Sequence, residues 1–345
     1  MLAMRAIVIR EAGGLERLEL SDVPTPVPGA GQVLVRVAGC GVCYRDLLDR
    51  EGKYPFMRRP IVTGHEFAGE ISAVGGGVDG FVVGDRVAST HRPACGTCAA
   101  CAAGQETRCA GSPVMYGLTV DGGYAEQVLA WSASLVRVPA GVALDEASFL
   151  HCTAGVALRA LRTHAKVTAG ETVVITGASG GVGMHAIQVA KILGARVVAV
   201  TGSPAKVDAL RRVGADEVVL APPDGAFHKE VMSRTDGGAA IALELVGAPT
   251  FNASLRSLKI GGRLVIVGNV TTERVEVNPG YLILRELSMC GSSSATRADL
   301  AEVLEWAATG RLKPIVAGRL PLAQAAAAQA RLLEKSVTGR LVLMP

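Results

Sequence analysis

The stretch 172–200 constrains this chain more than any other. Thr172, Val173, Val174 and Ile175 are β-prone, and a glycine cluster follows them: Gly177, Ala178, Ser179, Gly180, Gly181, Val182 and Gly183. Beyond the cluster, Val182, Ala186, Val189, Ala190 and Leu193 recur at helical spacing, and residues 195–200 are again β-prone. A strand, a glycine turn, a helix and a second strand make a βαβ unit. The glycines let backbone N–H groups approach a pyrophosphate, whose charge then sits at the positive end of the helix. The cluster 177–183 is therefore the expected dinucleotide site.

The residues after the second strand select the dinucleotide. An acidic side chain there would bond the ribose 2′-hydroxyl of NAD, but the chain runs Thr201-Gly202-Ser203-Pro204-Ala205-Lys206, with no acid before Asp208. Ser203 can donate to phosphate oxygens and Lys206 supplies positive charge, so NADP(H) is the expected cofactor. Gly268 and Asn269, after the strand at 263–267, are counted with the cofactor contacts.

Strands at 173–175, 197–200, 217–220, 241–245, 263–267 and 287–291 give this part of the chain six, the complement of a doubly wound parallel sheet. The first 140 residues read differently. Short β-prone runs at 5–9, 16–20, 32–37, 67–74 and 83–87 alternate with turn residues, residues 24–31 among them, as in an antiparallel β domain. Residues 142–162 read as a helix, as do 298–308 and 322–333, and 340–343 as a closing strand. At 345 residues two domains are expected: 1–153 with 294–345, and 154–293, with the active site in the cleft between them. A net charge of +4 with scattered Lys and Arg does not favour nucleic acid. The segment 1–14 reads as a first strand rather than a signal peptide, and no run approaches a membrane span. A cytoplasmic protein is expected, in which the eight cysteines serve metal rather than disulfides.

Cys95, Cys98, Cys101 and Cys109 lie within fifteen residues, in the lobe 92–110. Four thiolates close a tetrahedron around Zn²⁺ and leave no open position, which is a structural site; an iron–sulfur cluster is the alternative the spacing allows. Cys43, His65 and Cys152 form a dispersed set. Each taken alone reads as a core residue. Together they suit a zinc with an open fourth position, because Asp46, one helical turn after Cys43, can orient His65, with Glu66 beside the metal. Cys40 and Cys290 are assigned to the core.

With these motifs the chain resembles the zinc-containing alcohol-dehydrogenase branch of the medium-chain dehydrogenase/reductase family. The match is carried by Gly41-x-Cys43-x-x-Asp46, Gly64-His65-Glu66, Gly84-Asp85-Arg86-Val87, the four cysteines, Cys152 and the glycine turn. The resemblance implies an α/β protein with a GroES-like catalytic domain and a Rossmann cofactor domain. It also implies catalytic zinc on Cys43, His65 and Cys152, giving two zinc ions per subunit, and homodimers or homotetramers built through the cofactor domains.

The departures bear on the reaction. Alcohol-oxidising members carry Ser or Thr two positions after the first cysteine ligand, often with a histidine three residues later, to pass the alcohol proton outward; here those positions are Arg45 and Leu48. Interconverting alcohol and carbonyl moves a proton at oxygen, whereas conjugate reduction delivers hydride to the β-carbon and the enolate takes its proton on carbon. The missing relay favours C=C reduction of an α,β-unsaturated carbonyl or thioester. Residues 43–48, 177–191 and 291–296 look most like the archaeal acryloyl-CoA reductases, which use NADPH. An alcohol/aldehyde dehydrogenase whose proton leaves through water, Tyr44 or Tyr54 is the alternative, and a non-catalytic NADPH-binding protein a remote one. Arg45, Arg50, Lys53, Arg58 and Arg59 could receive an acidic handle such as coenzyme A phosphates, or form a solvated face.

Overall fold

The computed structural model describes residues 3–54 and 56–345, so the first two residues of the segment 1–14 lie outside it. The chain divides into two compact units, Met1–Cys152 with Ser294–Pro345, and Thr153–Ser293.

The first unit is β-rich. In chain order its strands are β1 (Ala3–Ile9), β2 (Glu19–Pro24), β3 (Gln32–Val42), β4 (Ile61–Val62), β5 (Phe67–Val74), β6 (Arg86–Ser89), β7 (Gln127–Trp131) and β8 (Leu135–Arg137). The second unit contributes β9 (Thr172–Ile175), β10 (Arg196–Thr201), β11 (Glu217–Leu220), β12 (Ala239–Glu244), β13 (Leu258–Ile266) and β14 (Ser288–Gly291), and the chain returns to the first with β15 (Val316–Pro321) and β16 (Arg340–Met344).

In the first unit β3 is the hub. It pairs antiparallel with β5, β7 and β16 within a sheet ordered β15-β16-β3-β5-β6-β8, while β2-β1-β4 forms a smaller sheet. Three partners for one eleven-residue strand require it to bend, and its pairing with β5 shifts register twice, between Leu34 and Val35 and between Val37 and Gly39. Val33, Val35, Val37, Phe67, Ile71, Tyr116 and Tyr124 form the core beneath it. The helix Tyr44–Arg50 follows β3 after a single residue, Cys43. Its last residue, Arg50, has a buried guanidinium that donates to Gln329 Oε1 at 2.9 Å and to the Gly13 carbonyl, tying this helix to the helix Ala325–Leu333.

The second unit is a parallel sheet ordered β11-β10-β9-β12-β13-β14, or 3-2-1-4-5-6 in its own count. Strand order reverses between β9 and β12, the place where such sheets bind ligands, and the glycine turn leaves β9 there. Val174, Val198, Val200 and Val219 pack with Phe227 and Val231 in one apolar cluster, and Ala242, Phe251, Leu255 and Leu264 pack in another. Glu244, the last residue of β12, is wholly buried. Its carboxylate accepts from the Thr176 hydroxyl at 3.0 Å, the Val246 and Gly247 N–H groups at 2.8 and 2.9 Å, the Thr250 hydroxyl at 2.7 Å and the Ser254 hydroxyl.

Several elements differ from the sequence reading. The expected strand at 16–20 is a 3₁₀ turn, Leu15–Arg17, and the strand runs Glu19–Pro24 instead, where its alternation of half-buried and exposed residues suits a sheet edge. Residues 316–321, to which the sequence reading assigned no element, form β15 beside β16. The long helix at 142–162 is broken into Leu144–Ala147, a π-helical turn His151–Gly155, Val156–Leu158 and a second π-helical segment, Arg159–His164. No helix among the described residues is long and apolar enough to cross a membrane.

Replacing Glu244 with Ala leaves two N–H groups and three hydroxyls without their acceptor. The expected cost is about 3 kcal/mol, read as a lower urea midpoint for the full chain by circular dichroism. An unchanged midpoint would show that solvent replaces the carboxylate.

Candidate active site

Cys43 follows the strand β3 and caps the helix that begins at Tyr44. Its sulfur accepts from the Asp46 N–H, and the Asp46 carboxylate accepts from the Cys43 N–H at 2.9 Å, a reciprocal box that fixes both side chains in the first turn. Asp46, fully buried, also places Oδ1 2.9 Å from His65 Nδ1, and its Oδ2 accepts from the Tyr124 hydroxyl at 2.8 Å. With Nδ1 committed to the carboxylate, His65 turns Nε2 toward Cys152 Sγ, 3.7 Å away. Cys152 lies in the π-helical turn His151–Gly155, an irregularity common at functional sites. Donor atoms of Cys43, His65, Glu66 and Cys152 all fall within 4.8 Å of one another, a set that fits a zinc ion.

The charge balance points the same way. Hydrogen bonding from Cys152, then Arg340 and His65 against the cost of burial, holds the Cys43 thiol well below its ordinary range, while Cys43 and burial push Cys152 up. Burial and the Arg45 charge oppose protonation of His65, yet Asp46 and Cys43 outweigh them and raise it to about 10. Burial lifts the Glu66 carboxyl to about 7 against the pull of Arg340. A pocket that pairs one acidic thiol, Cys43, with a proton-hungry imidazole is short of positive charge, and a divalent cation supplies it. Glu66 Oε1 is 2.9 Å from Arg340 Nη2, its Oε2 has no hydrogen-bond partner among the described residues, and Arg340 Nη1 donates to the Val42 carbonyl at 3.1 Å. Gly41 makes room for this carboxylate, since a Cβ there would sit 2.1 Å from Glu66 Oε2.

The cysteine lobe is built locally. Cys98 caps the helix Ala99–Ala102, Cys101 Sγ lies 3.5 Å from Cys98 Sγ and 3.9 Å from Cys95 Sγ, and the Cys95 N–H donates to Cys109 Sγ at 3.3 Å. All four sulfurs lie within 4.8 Å of one another, with no carboxylate or histidine among them, as a closed tetrathiolate zinc site requires. Hydrogen bonds from the Thr97 and Cys98 backbone bring the Cys95 thiol down to about 6. Glu106 fastens the lobe by accepting the Arg297 N–H at 3.1 Å.

Around the metal set, neither relay position offers a hydroxyl. Leu48 is buried, and Arg45 donates from Nε to Asp49 Oδ2 at 3.0 Å and from Nη2 to the Tyr116 carbonyl at 3.1 Å. The basic run 45–59 does not act as one patch: Arg50 is buried and Arg59 donates to the Asp49 carbonyl at 3.0 Å, whereas Lys53 and Arg58 are exposed to solvent, Arg58 pairing with Asp121 at 2.8 Å. Of the two cysteines assigned to the core, Cys40 is fully buried, but Cys290 is half-exposed on the end strand β14.

In the second unit the glycine turn has the features of a phosphate cradle. Gly177 has φ +54°, Gly180 caps the helix Gly181–Ile192, and a Cβ on Gly183 would meet Ala178 Cα and the Gly177 carbonyl oxygen at 2.5 Å. Ala178 is buried, while Ser179 and Val182 flank the helix start. Gly268 lies against Leu245, whose carbonyl oxygen would be 2.1 Å from an added Cβ, and Asn269 lies against Gly247. At the end of β10, Thr201 is buried with its hydroxyl accepting the Ser203 N–H at 3.3 Å; Ser203 and Lys206 are half-buried, and burial lowers the Lys206 ammonium from its usual range.

A doubly wound dinucleotide fold joined to a β-rich unit with a Cys-His-Cys set defines a zinc-dependent, nicotinamide-linked oxidoreductase. Comparison with known proteins agrees. Residues 29–140 match the alcohol dehydrogenase GroES-like domain and residues 181–309 the zinc-binding dehydrogenase model. Two proteins named acryloyl-coenzyme A reductase are similar over nearly the whole chain. The one from Metallosphaera sedula is 40% identical, covering 99% of both chains, and the one from Sulfurisphaera tokodaii is 38% identical, covering 99% of this chain and all of its own. A crystal structure titled AibC superposes with a TM-score of 0.93 at 45% identity, covering 99% of this chain and 96% of that one. The chain belongs to the zinc-containing alcohol dehydrogenase family of medium-chain dehydrogenases/reductases.

Sequence reasoning missed Tyr124, Arg340, Asp49, His91 and His151. His91 Nδ1 lies 2.9 Å from the Ser294 hydroxyl, His151 Nε2 3.1 Å from the Ala295 carbonyl, and the two rings stack at 5.7 Å beside the Cys152 turn. No local pattern marks Tyr124, Arg340, His91 or His151, because each partner lies tens to hundreds of positions away, whereas the i,i+4 spacing of Arg45 and Asp49 was a signal the sequence did carry.

Proposed function

We propose that this enzyme reduces the C=C bond of an α,β-unsaturated carbonyl compound, with an acryl-type thioester as the favoured class, using NADPH and two zinc ions per subunit. The observation that carries this reading is the pair at the relay positions: a guanidinium already engaged at Arg45 and a buried Leu48. A guanidinium does not give up its proton, and a leucine has none to give, so neither residue serves alcohol–carbonyl interconversion. The full-length similarity to proteins named acryloyl-coenzyme A reductase supports the same class.

When bound, zinc supplies Lewis acidity toward a substrate carbonyl and NADPH supplies hydride. The chain's own residues prepare both. Cys43, His65 and Cys152 would hold the catalytic zinc, Asp46 keeps the His65 tautomer that leaves Nε2 free, and Glu66 stands beside the set on its Arg340 partner. Cys95, Cys98, Cys101 and Cys109 would hold the structural zinc. Residues 1–153 with 294–345 act as the catalytic domain and 154–293 as the NADP domain. There Gly177, Ala178, Ser179, Gly180, Gly181, Val182 and Gly183 admit the pyrophosphate, Gly268 and Asn269 border it, and Thr201, Ser203 and Lys206 receive the 2′-phosphate.

The same reading includes a homo-oligomer formed through the NADP domains. Ile283 and Leu284, 75% and 82% exposed on the helix Pro279–Arg285, and the end strand β14 suit a second copy. Eight free cysteines suit a reducing compartment such as the cytoplasm.

Three outcomes are expected. Metal analysis of protein purified without chelator gives two zinc ions per subunit; Cys95→Ser lowers thermal stability, and Cys43→Ser abolishes turnover without unfolding. One zinc, lost with Cys95→Ser, would refute a metal on the Cys43 set. Lys206→Ala weakens NADPH binding about tenfold and leaves NADH nearly unchanged, measured by fluorescence titration; equal loss for both would assign Lys206 to the helix. With acryloyl-CoA or an enal and NADPH, the product is the saturated thioester or aldehyde by mass spectrometry. NADP⁺-dependent oxidation of simple alcohols, with no activity on these substrates, would overturn the reading.

A further inference from the structure

The helix Tyr44–Arg50 carries a guanidinium two residues beyond Cys43 that the metal set does not require. Arg45 is held from two sides, by Asp49 Oδ2 at Nε and by the Tyr116 carbonyl at Nη2, and no acceptor among the described residues meets Nη1. Its side chain keeps 20% of its surface exposed, whereas that of Asp49 is fully buried. Among the described residues Asp49 Oδ1 meets no hydrogen-bond partner, so this carboxylate, costly to bury, has Arg45 as its one hydrogen-bonding side chain there. A charged donor two residues beyond Cys43, fixed from two sides and partly exposed, has the character of a preorganised anion site.

The C=C reduction proposed above creates such an anion. Hydride arriving at the β-carbon forms a C–H bond, the C=C electron pair moves to the carbonyl, and the negative charge settles on oxygen as an enolate. NADPH becomes NADP⁺, and a proton from solvent then adds to the α-carbon, restoring the carbonyl. Charge developing on oxygen during hydride transfer is what a positioned donor stabilises, and donors of this kind contribute about 10²- to 10³-fold to kcat. Leu48, one helical turn further, offers nothing in its place.

We propose that Arg45 donates a hydrogen bond through Nη1 to the enolate oxygen of the substrate, and that Asp49 is the positioning residue that aims it. This inference rests on the C=C reading and gives the replacement of the relay hydroxyl a purpose: a donor that stays charged favours an oxyanion that is later protonated on carbon.

The test uses the zinc-loaded full chain and acetoacetyl-CoA without NADPH, so that no hydride transfer takes place. Enolisation of this β-ketoacyl thioester is read in the near ultraviolet as an apparent pKa of the bound ligand. Wild-type protein enriches the bound enolate. Arg45→Ala reduces the enolate fraction about tenfold or more, Arg45→Lys restores part of it, and Asp49→Asn falls between, all at unchanged zinc content. In turnover of acryloyl-CoA, Asp49→Asn lowers kcat with little change in KM. If Arg45→Ala does not fold, Arg45→Lys and Asp49→Asn carry the comparison. An equal enolate band in wild type and the variants, or no band in a wild-type protein that reduces acryloyl-CoA, overturns the role of Arg45. Absence of both the band and C=C reduction overturns the reading beneath it as well.

Discussion

The carboxylate of Asp46 is the interaction on which the first unit's site depends. It is buried, yet it meets the Cys43 N–H, His65 Nδ1 and the Tyr124 hydroxyl within 2.9 Å. One group thus completes a helix cap, chooses an imidazole tautomer and joins the first turn after β3 to a loop 78 positions downstream. A buried carboxylate is tolerated only where its oxygens are paired, and these partners satisfy both. Were Asp46 displaced, Cys43 would lose its cap and His65 the bond that orients Nε2.

Glu244 has a parallel part in the second unit. It gathers two N–H groups and three hydroxyls at the point where strand order reverses, holding the ends of β9 and β12 together beneath the glycine turn. In both units a buried acid, Glu244 at the end of β12 and Asp46 in the helical turn just after β3, organises the backbone around a functional segment. The two differ in what faces them. Glu244 meets neutral donors alone, whereas Asp46 belongs to a cluster of thiols, Glu66 and Asp49 answered by Arg45 and Arg340. The first arrangement rigidifies; the second attracts a cation.

How much was legible in advance follows from the range of each interaction. The parallel strands were readable to within a few residues because each is a short apolar run set off by helical periodicity. The four sulfurs of the lobe 92–110 come together within a fifteen-residue loop, so their spacing implied their proximity. Edge strands were harder. Strand β2 was misplaced by three residues and β15 unseen, since an edge strand with half-buried residues has little hydrophobic pattern to read. The π-helical turns around Cys152 were hidden because i→i+5 bonding leaves no mark in composition.

By itself, then, the sequence determined the βαβ succession, the choice of thiol and imidazole donors, and the lack of a hydroxyl at Arg45 and Leu48. These are properties of residue type and local order. Only the tertiary structure decided that Arg50 is a buried strut rather than part of a basic patch, and that Arg340 neutralises Glu66 across 274 positions. It also decided that Arg45 is locked by Asp49 and Tyr116 with one nitrogen to spare. A charge acquires its role from its burial and its partner, and both are set by chain segments far apart in sequence.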